Sequence, residues 1–146
     1  DFTLHGMSLV IHLHAGDFYP GKNTLIEVPP VDPASLLGKP DGESSADIRA
    51  RVMAARARQM QRYAGTGVSC NARLSSKMLR QFCPLTQPQQ QMLLDAVAQL
   101  GLSARAFDRI LRVTRTIADL AGCEQPTDAH LYEAIQFRQF ESQLRG

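Results

Sequence analysis

The chain has 146 residues, enough for one domain with a core of useful size and too few for an added catalytic domain. Sixteen basic side chains against fourteen acidic leave a formal charge of +2, so the overall balance singles out no polyanionic partner and any basic surface has to be local. Cys70, Cys83 and Cys123 are odd in number and widely spaced, which argues against a disulfide framework and suits a reducing compartment, while no apolar run approaches the roughly 18 residues of a membrane span.

The first stretch, residues 1–23, differs in character from the remainder of the chain. It holds three of the four histidines, His5, His12 and His14, an alternating pattern over residues 9–13 that permits a short strand, and a turn signal at Pro20-Gly21. It reads as a leader, foreign to the rest or derived from an expression vector. Residues 24–43 read as an extended linker: a β-favouring run at 24–28 ends at Pro29-Pro30, and Pro33 and Pro40 keep the chain extended to Gly42.

From Ser44 to the end, residues 44–146, helical signals dominate. Ser44 or Ser45 caps a long first helix that carries Ile48, Val52, Met53, Ala55, Gln59, Met60 and Tyr63 at helical spacing and runs to Tyr63. Ser75 caps a short second helix with Met78, Leu79 and Phe82, stopped by Pro84. Thr86 and Gln89 fit a capping box for a third helix with Leu93, Leu94, Val97 and Leu100 on one face, closed at Gly101. Ser103 caps the best-patterned helix, in which Phe107, Ile110, Leu111, Thr114, Ile117, Ala118 and Ala121 recur every three or four residues before Gly122. Thr127, after Pro126, caps a fifth with Leu131, Ala134 and Ile135. The expected fold is all-α, a five-helix bundle with a short β segment near the start.

Arg105, Arg109 and Arg112, with Arg115 beside them, put positive charge along the fourth helix, partly balanced by Asp108 and Asp119. Such a row is ordinarily a solvated helix face. Arg105 is the odd member: it lies two residues after the cap, where the helix dipole disfavours a cation. A guanidinium beside free backbone N–H groups suits a phosphate, because its planar fork donates paired hydrogen bonds and stays charged. The other candidates are weaker. The histidines lack Cys-x-x-Cys or His-x-x-x-His spacing for a metal, the cysteines lack a neighbouring base, and Tyr63, Tyr132, Phe137 and Phe140 fall at core-like helical spacing rather than as a stacking platform. Arg49, Arg51, Arg56, Arg58 and Arg62 form a basic run on the first helix that reads first as a solvated face.

The run from Gly101 through Arg105 (Gly-Leu-Ser-Ala-Arg), continuing Ala-Phe-Asp-Arg-Ile-Leu-Arg-Val and then Arg-Thr-Ile-Ala-Asp from Arg115, resembles the sensor-2 helix of ComM-type proteins of the magnesium-chelatase-like AAA+ ATPases. Residues 40–55, Asn71-Ala72, residues 80–84 and residues 127–138 extend the likeness, which covers roughly 25–138. The resemblance implies a C-terminal helical lid that folds over ATP held by a separate α/β domain. It also implies that the position matched by Arg105 reaches the γ-phosphate; Arg109 and Arg112 carry over no such role and are candidates for an anion or subunit contact. ATP and Mg belong to the full-length parent, and the implied partners are the missing AAA+ core, neighbouring subunits of a ring and, through the parent, DNA, with no membrane and a cytoplasmic location.

No Gly-x-x-x-x-Gly-Lys-Ser/Thr loop occurs in the chain, nor an apolar strand ending in an Asp-Glu pair, so by itself it is not expected to hydrolyse ATP or to carry a cofactor. The family's Leu-Leu-Asp-Arg run, expected shortly before residues 25–28, is replaced here by residues 18–23. A helical module that binds DNA or protein through its arginine faces is the competing expectation.

Overall fold

A computed structural model describes residues 2–5, 8–14, 23–28 and 42–143 of the chain. They fall into two units, one holding the three strands and the other formed by Glu43–Gln136. The strands β1 (Phe2–His5), β2 (Ser8–His14) and β3 (Asn23–Val28) form one antiparallel sheet in the order β1-β2-β3. Its register sets apolar residues opposite one another: Phe2 and Leu4 face Ile11 and Leu9, which in turn face Ile26 and Val28. The β portion is therefore larger than the sequence suggests, and the border expected at residue 23 runs through it, since β3 pairs with β2. The turn signal at Pro20-Gly21 and the proline-held stretch at 29–41 lie outside the described residues.

Five helices come next among the described residues, α1 (Ser45–Arg62), α2 (Ser76–Phe82), α3 (Gln87–Gln99), α4 (Ala104–Leu120) and α5 (Asp128–Gln143), with a 3₁₀ turn at Asn71–Arg73. The first four start at the caps the sequence indicates. Ser44, Ser75, Thr86 and Ser103 accept from the backbone N–H groups of Asp47, Met78, Gln89 and Ala106, satisfying donors that a helix start leaves without a partner. Thr86 and Gln89 close a full capping box, and Gln89 also donates to Asp128 Oδ1 at 2.8 Å, joining the starts of α3 and α5. Ahead of α5, the Thr127 N–H donates to His130 Nδ1 at 3.1 Å.

Two helix ends depend on glycine. Gly101 (φ 60°) and Gly122 (φ 76°) are left-handed, and each lets the next residue's N–H turn back to a carbonyl five positions earlier: Leu102 to Val97 at 2.9 Å, Cys123 to Ala118 at 2.8 Å.

The core of this unit gathers Tyr63, Leu74, Leu79, Cys83, Leu93, Ile110, Leu111, Leu131, Ala134 and Ile135. Helix α4 is its axis, burying Ile110, Leu111, Thr114 and Ala118 along the stripe its sequence predicts. Two expected faces are covered only in part. On α1, Ala55, Gln59 and Tyr63 are buried, whereas Ile48, Val52, Met53 and Met60 are exposed; on α3, Leu93 is buried and Leu94 is not.

Candidate nucleotide-sensing site

The start of α4 is built from a short run of residues. Gly101 turns the chain out of α3, Ser103 caps α4, and Arg105 falls in the first turn, where no acidic side chain accompanies it. The first N–H groups of a helix meet no helical carbonyl, so those of Ala104 and Arg105 open the same turn that carries the Arg105 side chain. Arg105 is exposed and, among the described residues, has neither a hydrogen bond nor an ion pair. Its charge is therefore available to an incoming anion.

The other arginines of α4 have different surroundings. Arg109 is half-buried and already engaged. Arg112 turns back on the bundle, donating to the Leu74 carbonyl from Nε at 3.2 Å and from Nη2 at 2.7 Å, with Asp108 at 3.8 Å. Asp108 in turn accepts from the Ser76 hydroxyl, so this end of α4 is tied to α2. Arg115 does not belong to a cationic face at all: it is 1% exposed.

Around Arg115 lies a buried polar cluster that the sequence does not announce. Arg115 donates to Asp119 Oδ1 at 3.0 Å and to the carbonyls of Cys123 and Glu124 at 2.8 Å each, clamping the loop between α4 and α5. Arg62 reaches the same carboxylate from α1 through two bonds of 2.6 and 3.1 Å, and Asn71 Nδ2 adds another at 2.9 Å. Burial alone would push the Asp119 carboxyl up; the hydrogen bonds from Arg62 and Asn71, with the charges of Arg115 and Arg62, outweigh it and hold the group below the ordinary carboxylate range. The ring of Tyr63 lies under Arg62 at 5.7 Å, and its hydroxyl donates to Asn71 Oδ1 at 2.6 Å. The available signal was the spacing of Arg115 and Asp119, four residues apart on a helix.

Cys83 is buried and its thiol is pushed up to about 11 by desolvation, which leaves it a packing residue at neutral pH. Among the described residues no group of three or more His, Cys, Asp and Glu is placed to hold a metal ion, and no helix is long and apolar enough to cross a membrane.

This geometry, a lone guanidinium at the mouth of a capped helix on a five-helix unit, coincides with a match to known proteins. Residues 42–138 match the family described as magnesium chelatase, subunit ChlI C-terminal. The chain belongs to this family. It is 42% identical over 125 residues to the competence protein ComM of Haemophilus influenzae, covering 85% of this chain and 24% of that protein. It is 39% identical over 132 residues to the uncharacterised protein YifB of Escherichia coli K12, covering 89% of this chain and 25% of the relative. An uncharacterised Mycobacterium bovis protein is 36% identical over 106 residues, covering 73% and 21%. The YifB match reaches into the stretch before Thr24. The chain thus corresponds to the C-terminal domain of a ComM-like and ChlI-like AAA+ protein, and it spans about a quarter of the length of the curated relatives it matches.

Proposed function

We propose that this domain is the nucleotide-sensing lid of a ring-forming AAA+ ATPase. In this reading Arg105 meets the γ-phosphate of ATP bound by the parent's α/β domain, and lid movement couples hydrolysis to remodelling of a macromolecular substrate. The observation that carries the reading is Arg105 itself: exposed, in the first turn of α4, and without a partner among the described residues. A cation there is unfavourable to the helix, so a role outside helix stability accounts for it.

A phosphate arriving at this point would receive the paired N–H donors of the guanidinium and the first backbone N–H groups of α4, an arrangement that stabilises charge on a transferring phosphoryl group. In this reading ATP and Mg are held by the parent's α/β domain. The macromolecular substrate is DNA, in keeping with a relative that is a competence protein. The neighbouring arginines contribute differently: Arg112, bound to the Leu74 carbonyl, holds the lid's own shape.

The test is ATP turnover by the full-length parent carrying Arg105→Ala or Arg105→Lys. Turnover should fall on the order of a hundredfold for alanine and by less for lysine, which keeps the charge without the fork. An unchanged rate in both variants removes Arg105 from the mechanism.

A further inference from the structure

On α1, Ile48 and Val52 continue the stripe that Ala55 and Gln59 bury, yet they are 42% and 44% exposed, and Met53 and Met60 are 63% and 66% exposed. Arg49, Met53, Arg56 and Met60 are spaced by four, three and four residues, the spacing of a helix-packing seam, and Ile48 and Val52 adjoin them. Two arginine positions therefore alternate with apolar positions along this face. The other arginines of α1 are engaged: Arg51 with Glu43, Arg58 with the Asp119 carbonyl, Arg62 with the Asp119 carboxylate. Arg49 and Arg56 have no hydrogen bond or ion pair among the described residues.

We propose that this face of α1 docks an amphipathic helix of a protein partner that carries carboxylates among apolar residues. The carboxylates would pair with Arg49 and Arg56, while Ile48, Val52, Met53 and Met60 cover the partner's apolar side chains and keep water from the ion pairs. Charge decides the occupant. Among the described residues, a second copy laid along the same seam brings Glu43 and Asp47 at the start of α1, committed to Arg51 at 2.6 Å and to the Ser44 hydroxyl at 2.6 Å, and Asp119 beside α1, which is buried against Arg62 and Arg115. A nucleic-acid backbone would satisfy the arginines but leave the two methionines and their apolar neighbours uncovered. The inference stands independently of the nucleotide reading.

The experiment titrates the full chain into a fluorescein-labelled synthetic helix of about three heptads, with leucine at the first and fourth positions and glutamate beside them, and follows anisotropy. Saturable binding is expected, weakened about tenfold or more by Arg49→Glu with Arg56→Glu and likewise by Met53→Ser with Met60→Ser. The charge-reversed chain should instead take up the same helix rebuilt with lysine in place of glutamate. All four side chains are solvent-exposed, so the variants should keep the parent's helical circular dichroism. The proposal is overturned by absence of saturation, by equal binding of the glutamate and lysine helices, by variants that bind like the parent, or by tighter binding of a duplex DNA of about 20 base pairs.

Discussion

Asp119 sits where three elements meet, and its carboxylate accepts from Arg62, Asn71 and Arg115 with no exposure to solvent. Removing its charge leaves Arg115 buried without a counter-ion, so Asp119→Asn should cost about 3 kcal/mol of stability at neutral pH. The sign of the pH effect comes from a carboxyl held lower in the folded chain than its unfolded value of 3.8. The contribution is complete above that value and disappears as pH falls through the folded pKa, so denaturation curves of the parent and the variant should converge in acid. A difference that persists unchanged at pH 2 would contradict the assignment. Cys83 gives a second residue-scale outcome: with its thiol pushed up to about 11, iodoacetamide at pH 8 should modify half-buried Cys70 and Cys123 before Cys83, read by mass spectrometry.

At the scale of the element, the helix ends are specified locally and the helix faces are not. Ser44, Ser75, Thr86 and Ser103 are legible as caps because a cap needs only its own side chain and an N–H three residues on. The same locality made the setting of Arg105 legible, in the first turn behind the cap Ser103. Arg115 was not, because its burial rests on partners that only the fold assembles: the Cys123 and Glu124 carbonyls of the loop after α4, and an Asp119 carboxylate held in place by Arg62 and Asn71 from elsewhere in the chain. The periodicity of α1 fixes which side Ile48 and Val52 occupy but says nothing of whether a neighbour extends far enough to cover them. Helix ends also supply a clean measurement. Gly122→Ala should destabilise by about 1–2 kcal/mol, because an added Cβ disfavours the left-handed backbone and would stand 3.3 Å from Arg58 Nη2. Gly42→Ala, with open space around it, serves as the control and should leave the melting temperature unchanged.

Across the whole molecule, the role proposed for Arg105 makes this helical unit a component that would complete a nucleotide site rather than form one. The β1–β3 sheet shows where sequence reading stopped short: β1 has only four residues, and pairing with β2 across a hairpin makes it a strand where its own pattern is too short to do so. If the ATP site lies mostly in the rest of the parent, Mg·ATP at millimolar concentration should not raise the melting temperature of this chain alone, since a ligand stabilises only what it binds. The most direct measurement is equilibrium binding of ADP and of a non-hydrolysable ATP analogue to the full-length parent, with and without Arg105→Ala. If Arg105 reads the γ-phosphate, the variant should lose about tenfold in affinity for the ATP analogue and nothing for ADP; an equal loss for both, or none for either, would contradict it.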